Sequence, residues 1–262
     1  MNCCYRTGDS VVMVGAGNVA SHLAPALVTV GYRVTGIVSR TRQAAESLAS
    51  TLPACQAATD VCSLARAYIY IICISDDAIP AVVEHIASYA PNALLIHTSG
   101  STPLNVFGKH QRCGVIYPLQ TFSLHRAVNM AEVPLFIEAN NLKTLDRIRG
   151  IASRLSQRVQ PLDSEARARL HVAAVFACNF PNACINVAAE LMDKAEQDWR
   201  LLLPLINETI EKLDVLTPQE AQTGPAARGD TELMARQRDL LTEESWRQIY
   251  DAISHYILSR HE

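Results

Sequence analysis

The sequence has no excess of charge of either sign. Its 262 residues include 23 lysines and arginines against 26 acids, a formal net charge of −3, and the two signs are mixed along the chain. Proteins that bind nucleic acid or anionic membranes by electrostatic attraction usually carry clustered lysine and arginine. We therefore expect no nucleic-acid partner and no membrane partner.

Long hydrophobic runs are also missing. The most apolar window, "AYIYIICIS" at 67–75, has nine residues, whereas a helix needs about 20 to cross a bilayer. The N-terminal "MNCCYRTGDS" is polar and lacks the basic start and apolar stretch of a secretory signal. The window is predicted to be a buried strand, and a cytoplasmic protein is expected.

The cysteines follow no metal-binding pattern. The sequence has no C-x-x-C pair and no cysteine–histidine spacing typical of zinc sites. Several cysteines lie in apolar segments, where a free thiol behaves as a small hydrophobic group, and this fits a reducing compartment. We expect neither a metal nor a disulfide framework from the eight cysteines, which are Cys3, Cys4, Cys55, Cys62, Cys73, Cys113, Cys178 and Cys184.

Short apolar segments rich in β-branched residues alternate with helical patterns over the first 160 residues or so. The segments lack in–out alternation, so helices should cover both faces of the sheet that they form. This pattern predicts a Rossmann-type α/β fold with a doubly wound, mainly parallel sheet. Strands are predicted at 11–14, 33–38, 68–74, 94–97, 114–117 and 134–138, and helices at 18–30, 42–51, 78–89 and 142–155.

Strand patterns stop after "VQPLD" at 159–163, and the remaining residues are predicted to be helical. We therefore predict two domains, an α/β domain at 1–161 and an all-α domain at 162–262. Asp163 or Ser164 should cap a long helix that Pro181 kinks or breaks, because proline lacks the backbone N–H. Further helices are predicted at 201–213, 231–241 and 243–258, with Asp230 as a possible cap.

A glycine-rich turn follows the first predicted strand in "VVMVGAGNVA" at 11–20. In a dinucleotide-binding turn, Gly15 would permit the sharp bend, Gly17 the close approach of a pyrophosphate, and Ala20 the packing of helix on strand. Backbone N–H groups at the helix start, from Ala16 to Val19 and including Asn18, would face the phosphates. The alternative is a glycine corner without a ligand.

The second predicted strand ends in "VSRTRQ", where NAD-binding proteins commonly carry an acid for the ribose. No acid occurs between Gly17 and Glu46. Ser39, Arg40 and Arg42 offer a hydroxyl and two guanidinium groups, which suit the 2′-phosphate of NADP. The sequence therefore favours NADP over NAD, although the arginines are also consistent with the solvated start of a surface helix.

Two further polar segments follow predicted strands, at the sheet edge where α/β proteins bind ligands. "ISDDAI" places Ser75 and Asp76 there as cofactor-binding candidates, while Asp77 is interpreted as a helix cap. "HTSGSTP" offers the His97 imidazole and a serine-rich turn. This turn is either an ordinary one or a substrate-binding element, and its candidate binding residues are Ser99, Gly100 and Ser101.

Seven motifs in this order resemble a bacterial family of Rossmann-like oxidoreductases: the glycine turn, "VSRT", "SDDAI", "HTSGS", "YPLQTF", "LHVAAVFACNF" and "TGPAARGD". The family is related to deazaflavin-dependent NADP reductases and, more distantly, to pyrroline-5-carboxylate reductase and to β-hydroxyacid and 6-phosphogluconate dehydrogenases. The resemblance covers essentially the whole chain. It implies an NADP-linked enzyme that forms a homodimer through its helical domain, which is similar to the C-terminal domain of 6-phosphogluconate dehydrogenase.

The β-hydroxyacid dehydrogenases use a lysine four residues before an asparagine, but this sequence has Val175 four residues before Asn179. The lysine mechanism is therefore not transferred. His171 is instead the candidate general acid or base, because imidazole titrates near neutral pH. Asn179 and Asn182 share its predicted helix face and are candidates for polarising and orienting a substrate.

Arg228 in "TGPAARGD" is the remaining candidate, either as a clamp for a substrate carboxylate or as a partner of Asp230 within the loop. Together these residues predict an NADPH-dependent reductase that transfers hydride to a small carbonyl or imine compound bound between the domains. Two alternatives are a non-catalytic NADP sensor and a reductase of the deazaflavin cofactor itself.

Overall fold

A computed structural model describes residues 10–260 of the chain. The N-terminal segment with Cys3 and Cys4 lies outside the described residues. The chain divides into two compact units between Cys178 and Asn179, whereas strands give way to helices after Pro161, where the domain boundary was predicted.

The first unit is built on an eight-stranded sheet of order β3-β2-β1-β4-β5-β6-β7-β8. Strands β1 to β6 are parallel, and β7 runs antiparallel to β6 while β8 is parallel to β7. The Rossmann-type, mainly parallel fold is confirmed. The strands are β1 Ser10–Val14, β2 Arg33–Val38, β3 Gln56–Ala58, β4 Ile69–Ile72, β5 Leu94–His97, β6 Cys113–Pro118, β7 Leu135–Ala139 and β8 Val159–Pro161.

Helices cover both faces of this sheet. On one face α1, α2 and α4 pack against the strand residues Val11 and Met13, and on the other α3 packs against Val12 and Val14. The alternation along β1 shows why its apolar run is continuous: successive side chains enter opposite cores. The helices of this unit are α1 Asn18–Thr29, α2 Arg42–Ala49, α3 Ile79–Tyr89, α4 Leu142–Leu155 and α5 Ser164–Ala174.

A π-helical turn at Val175–Asn179 follows α5, and α6, Phe180–Lys194, begins after it with Pro181 in its first turn. The predicted irregularity at Pro181 is confirmed, in the form of a π-helical turn. By length and composition alone, the continuous helix Ser164–Lys194 could cross a membrane. Its most apolar window has a mean hydropathy of 1.5, and within the described chain none of that window is buried.

The second unit contains α6 and three further helices. Lys194 of α6 donates to the Thr242 hydroxyl and lies 4.3 Å from the centre of the Trp246 ring. Asp230 caps its helix as predicted, since its carboxylate accepts the Leu233 N–H. The further helices are α7 Leu203–Glu211, α8 Thr231–Asp239 and α9 Glu244–Leu258.

Candidate functional site

The predicted cofactor residues lie where the strand order reverses. β1 is flanked by β2 and β4, and the chain leaves β1 and β4 toward opposite sides of the sheet. In open α/β sheets, ligands bind at the carboxyl ends of the strands at such a reversal. Residues 15–20 follow β1 and Ser75 and Asp76 follow β4, so both segments belong to this edge.

Gly15 is required by the backbone geometry of the turn. Its φ is +116°, and a Cβ at this position would lie 2.1 Å from the carbonyl oxygen of Cys73. Its N–H donates to the Val38 carbonyl at 2.7 Å, so the turn is joined to β2. Any side chain here would separate β1 from the segment after β4.

Gly17 and the start of α1 form an open, positively polarised cradle. No described atom lies within 4 Å of a Cβ built on Gly17. Within the described chain, α1 has no side-chain cap and no acid in its first turn, so its N–H groups face outward. Ala20 is fully buried and packs the helix on the sheet. This cradle fits the pyrophosphate of a dinucleotide.

At the end of β2, Ser39 is half-buried and its N–H donates to the Ala58 carbonyl. Arg40 is exposed, whereas the Arg42 guanidinium pairs with the carboxylate of Glu46 at 2.7 Å. Arg42 also lines a cavity of about 370 Å³ together with Thr59. The Arg42 guanidinium thus lines a cavity after β2 and already has an anionic partner.

Ser75 and Asp76 are exposed after β4, in agreement with a position at the ligand edge. The interpretation of Asp77 as a helix cap is wrong. Within the described residues, α3 begins with Ala78 at its N-cap position and no side-chain hydrogen bond caps it. A short 3₁₀ turn at Asp76–Ala78 leads into the helix instead.

The serine turn, residues 99–101, is held by its own hydrogen bonds. Ser99 is 9% exposed, and its hydroxyl accepts the N–H groups of Ser101 and Thr102 at 3.0 and 2.9 Å. Gly100 lies against His171, since a Cβ on it would be 2.7 Å from the imidazole Cγ and Nδ1. Two predicted groups, the serine turn and His171, are therefore neighbours.

His97, the last residue of β5, lies in the core of the first unit. It is completely buried, stacks on Phe107 and accepts the Ser99 N–H at Nδ1. Burial, with a smaller contribution from the nearby Arg167 cation, lowers the pKa of His97 to about 3. The imidazole is therefore neutral at physiological pH, and its complete burial favours a structural role over contact with a ligand.

Tyr117, at the end of β6, is the polar partner of His171. Its hydroxyl lies 3.0 Å from Nδ1, and the two rings meet edge to face with centroids 5.8 Å apart. Tyr117 is 7% exposed and His171 is half-buried. Burial raises the pKa of Tyr117, with partial compensation from Arg167, so the phenol stays protonated near neutral pH.

A buried ion pair anchors the helix that carries His171. The Arg167 guanidinium, 1% exposed, bonds the Glu138 carboxylate of β7 and the Thr102 carbonyl. Ser164 also donates to Glu138, at 2.8 Å. Arg167 precedes His171 by one helical turn, so both occupy one face of α5. The anchor thus sets where the imidazole meets Tyr117.

Asn179, Asn182 and Arg228 belong to the second unit, and all three are exposed. Their proposed roles stay predictions. Asp230 caps α8, so its carboxylate already has a structural function.

Sequence reasoning missed Tyr117 and the Arg167–Glu138 pair. Tyr117 ends a predicted strand at the ligand edge, and this position could have indicated Tyr117 as a site residue.

Known proteins match both parts of the chain. Residues 5–122 match the Rossmann-like domain family, and residues 133–257 match a domain of unknown function, DUF2520. Among curated proteins, none matches the chain.

Solved structures resemble the whole chain. A Bacteroides fragilis protein described as a "putative NADP oxidoreductase" is 39% identical with a TM-score of 0.91, over 96% of this chain and 98% of the other. A Thermotoga maritima protein is 22% identical with a TM-score of 0.68, over 96% and 98%. Pyrroline carboxylate reductase of Plasmodium falciparum, solved with NADP bound, is 12% identical with a TM-score of 0.58, over 97% and 98%. The latter two similarities concern the fold alone.

Proposed function

Since this chain matches the Rossmann-like and DUF2520 domains and belongs to the same family as the Bacteroides fragilis protein, we propose that it is an NADP-dependent oxidoreductase. Its substrate is a small carbonyl or imine compound. One observation carries the proposal: the Tyr117–His171 pair lies against the serine turn at the ligand edge of the sheet that also holds the glycine turn.

The cofactor-binding residues are those of the edge around β1. Residues 15–20 hold the pyrophosphate at the start of α1, Ser39, Arg40 and Arg42 hold the 2′-phosphate, and Ser75 and Asp76 flank the cofactor after β4. When bound, NADPH supplies a hydride to the electrophilic carbon of the substrate.

The protein supplies the proton that the substrate oxygen or nitrogen requires. The Tyr117 hydroxyl stays protonated and lies 3.0 Å from Nδ1 of His171, so Nε2 is the ring nitrogen left to exchange a proton with the substrate. The imidazolium form is the general acid: it gives its Nε2 proton to the substrate and becomes neutral imidazole, while the serine turn limits how the ring can rotate. Asn179, Asn182 and Arg228 remain proposed substrate contacts.

Calorimetry with NADPH and NADH tests the cofactor assignment. A charge-assisted contact to the 2′-phosphate should make NADPH bind about tenfold tighter or more. Arg40→Ala should remove most of this preference, and Glu46→Gln should increase it because Arg42 loses its carboxylate partner. Arg149→Ala, an exposed change on α4, is the matched control.

Tighter binding of NADH would contradict the roles of Ser39, Arg40 and Arg42, and binding of neither cofactor would overturn the proposed function. Turnover is then measured with a panel of ketones, imines and deazaflavin. If none of these oxidises bound NADPH, the protein is a sensor and not an enzyme. Oxidation by deazaflavin alone would identify the deazaflavin reductase instead.

We also propose a cytoplasmic homodimer formed through the helical unit. Large apolar side chains of that unit face outward: Leu201, Leu205 and Ile210 are 64%, 65% and 62% exposed. Exposed apolar surface of this extent is typical of interfaces. Sedimentation should show a dimer that Leu205→Glu converts to monomer, while Glu208→Ala on the same helix leaves it intact. A monomeric native protein would contradict this proposal.

A further inference from the structure

Three metal-ligating side chains meet on the α3 face of the first unit. Asp60 and Cys62 lie in the turn after β3, His85 lies on α3, and all three are exposed. We propose that this trio, the His85 cluster, is a binding site for a divalent transition metal of the Zn²⁺ class. The proposal is independent of the reductase function.

The distances fit tetrahedral coordination. Nε2 of His85 lies 3.6 Å from the Cys62 Sγ and 2.9 Å from an Asp60 carboxylate oxygen, and all three ligand atoms lie within 4.8 Å of one another. Usual zinc–ligand lengths give tetrahedral separations of about 3.6 Å for nitrogen and sulfur and about 3.4 Å for nitrogen and oxygen. The nitrogen–sulfur separation already has this length, and the carboxylate oxygen has to move away from Nε2 by about 0.5 Å.

Buried neighbours hold these ligands in place. Val61 and Leu64 anchor the turn, and Ile86 anchors α3 directly beside His85. The Tyr89 hydroxyl of α3 donates to the Leu64 carbonyl at 2.6 Å, which ties the two elements together. A preformed site loses less conformational entropy on binding, so the ligands can capture a metal without rearranging the fold.

The chemistry of the donors selects the metal. Imidazole nitrogen, thiolate sulfur and carboxylate oxygen are the ligand types that zinc binds, and hard cations such as Mg²⁺ do not favour sulfur. On binding, Cys62 loses its thiol proton to solvent and His85 keeps its ring proton on Nδ1. The two anionic ligands then neutralise the divalent charge, and the fourth position faces solvent.

Sequence spacing alone predicted no metal site, because the three ligands come from two elements separated by β4. The fold brings them together: the turn after β3 and helix α3 pack on the same face of the sheet. A bound metal would therefore link these two elements.

Titration of the full chain with Co²⁺ tests the proposal. Cys3→Ser and Cys4→Ser are introduced first, so that the N-terminal thiols cannot contribute. We expect one Co²⁺ per chain with a sulfur-to-cobalt charge-transfer band, displaced by Zn²⁺. Cys62→Ser should abolish the band and weaken binding at least about tenfold, while Cys55→Ser, at a half-buried thiol nearby in sequence, should change neither.

Two further variants separate ligation from folding. Asp60→Asn keeps an oxygen that can accept the Cys62 N–H but removes the negative charge, and His85→Gln removes the nitrogen ligand. Both should weaken Co²⁺ binding while NADPH affinity is retained, and His125→Gln should have no effect. Unchanged Co²⁺ affinity in Cys62→Ser, or no charge-transfer band in the parent protein, would overturn the proposal.

Discussion

A single methyl group added at Gly100 would collide with the imidazole of His171. The built Cβ lies 2.7 Å from ring atoms that cannot move away as a flexible chain end could. Gly100→Ala should therefore displace His171 from Tyr117 and reduce turnover on the order of 10²-fold. Steady-state kinetics with a substrate found in the carbonyl panel measures this effect.

Gly150→Ala is the matched control for that experiment. Position 150 is exposed within α4, and no described atom lies within 4 Å of its built Cβ. Alanine should raise the free energy of unfolding by about 0.5–1 kcal/mol and leave turnover unchanged. Equal turnover in both variants would show that the contact between Gly100 and His171 does not matter for catalysis.

His171 itself should matter far more for turnover than for cofactor binding. Loss of a general acid typically costs about 10²–10⁴-fold, so His171→Ala should reduce turnover by this amount with little change in NADPH affinity. Tyr117→Phe removes the hydroxyl that positions Nδ1 of His171, so it should also reduce turnover while NADPH affinity is retained. Wild-type turnover in His171→Ala would leave the histidine a structural role only.

The roles of Gly15 and Ala20 could be predicted from the sequence because they depend on local geometry. Gly15 permits the positive φ of the turn, and Ala20 permits close packing of helix on strand. The neighbours of His171 could not be predicted, since Tyr117 lies on β6 and Gly100 lies in the turn after β5, both far from His171 along the chain. The role of His97 could not be predicted either. Its position at the end of a strand suggested ligand binding, whereas its complete burial favours a structural role.

At the level of elements, the Arg167–Glu138 pair joins α5 to the sheet. Removal of one partner of a buried pair leaves the other charge uncompensated and costs about 3–5 kcal/mol. Arg167→Met should lower the free energy of unfolding by this amount and also reduce turnover, because α5 carries His171. Urea denaturation measures the change in the free energy of unfolding, and steady-state kinetics on the same preparation measures the change in turnover.

Arg169→Met provides the comparison on the same helix. Arg169 pairs with Glu165, and both side chains are 79% exposed. Exposed pairs contribute less than about 1 kcal/mol, so the free energy of unfolding and the turnover of this variant should stay close to those of the parent protein. Equal destabilisation by both substitutions would refute the anchoring role of Arg167.

The helix α4, whose hydrophobic period is clear, begins and ends at the predicted residues, and the bounds of the apolar strands β2 and β5 were also predicted correctly. The short strands β3 and β8 were missed as strands, because three residues give no period and their pairing depends on the neighbouring strand. The form of the irregularity at Pro181 was not predicted. A kink and a π-helical turn can each accommodate a proline that lacks a backbone N–H, so the sequence does not distinguish between them.

For the molecule as a whole, His97 makes stability depend on pH. Its pKa is about 3 in the folded chain and about 6.5 when unfolded. The unfolded chain therefore binds one more proton between these values, and this contribution to stability is complete above pH 6.5 and is lost as the pH falls. The slope is about 1.4 kcal/mol per pH unit.

Urea denaturation at pH 7 and pH 5 tests this prediction. The parent protein should lose about 2 kcal/mol more than His97→Asn between these two values. Asparagine retains an acceptor for the Ser99 N–H but does not titrate, so the difference isolates the imidazole. If the stabilities of the two proteins changed equally between pH 7 and pH 5, His97 would not be the source of the pH dependence.

The reversal of β7 and β8 has a consequence for how the protein is made. The cofactor turn and its flanking segments are complete by residue 76, whereas Tyr117 meets its partner only after β7, β8 and α5 have been synthesised. At about 5–20 residues per second, the interval on the ribosome is about 5–20 s. The segments proposed to bind the nucleotide are thus synthesised well before the pair proposed to transfer the proton.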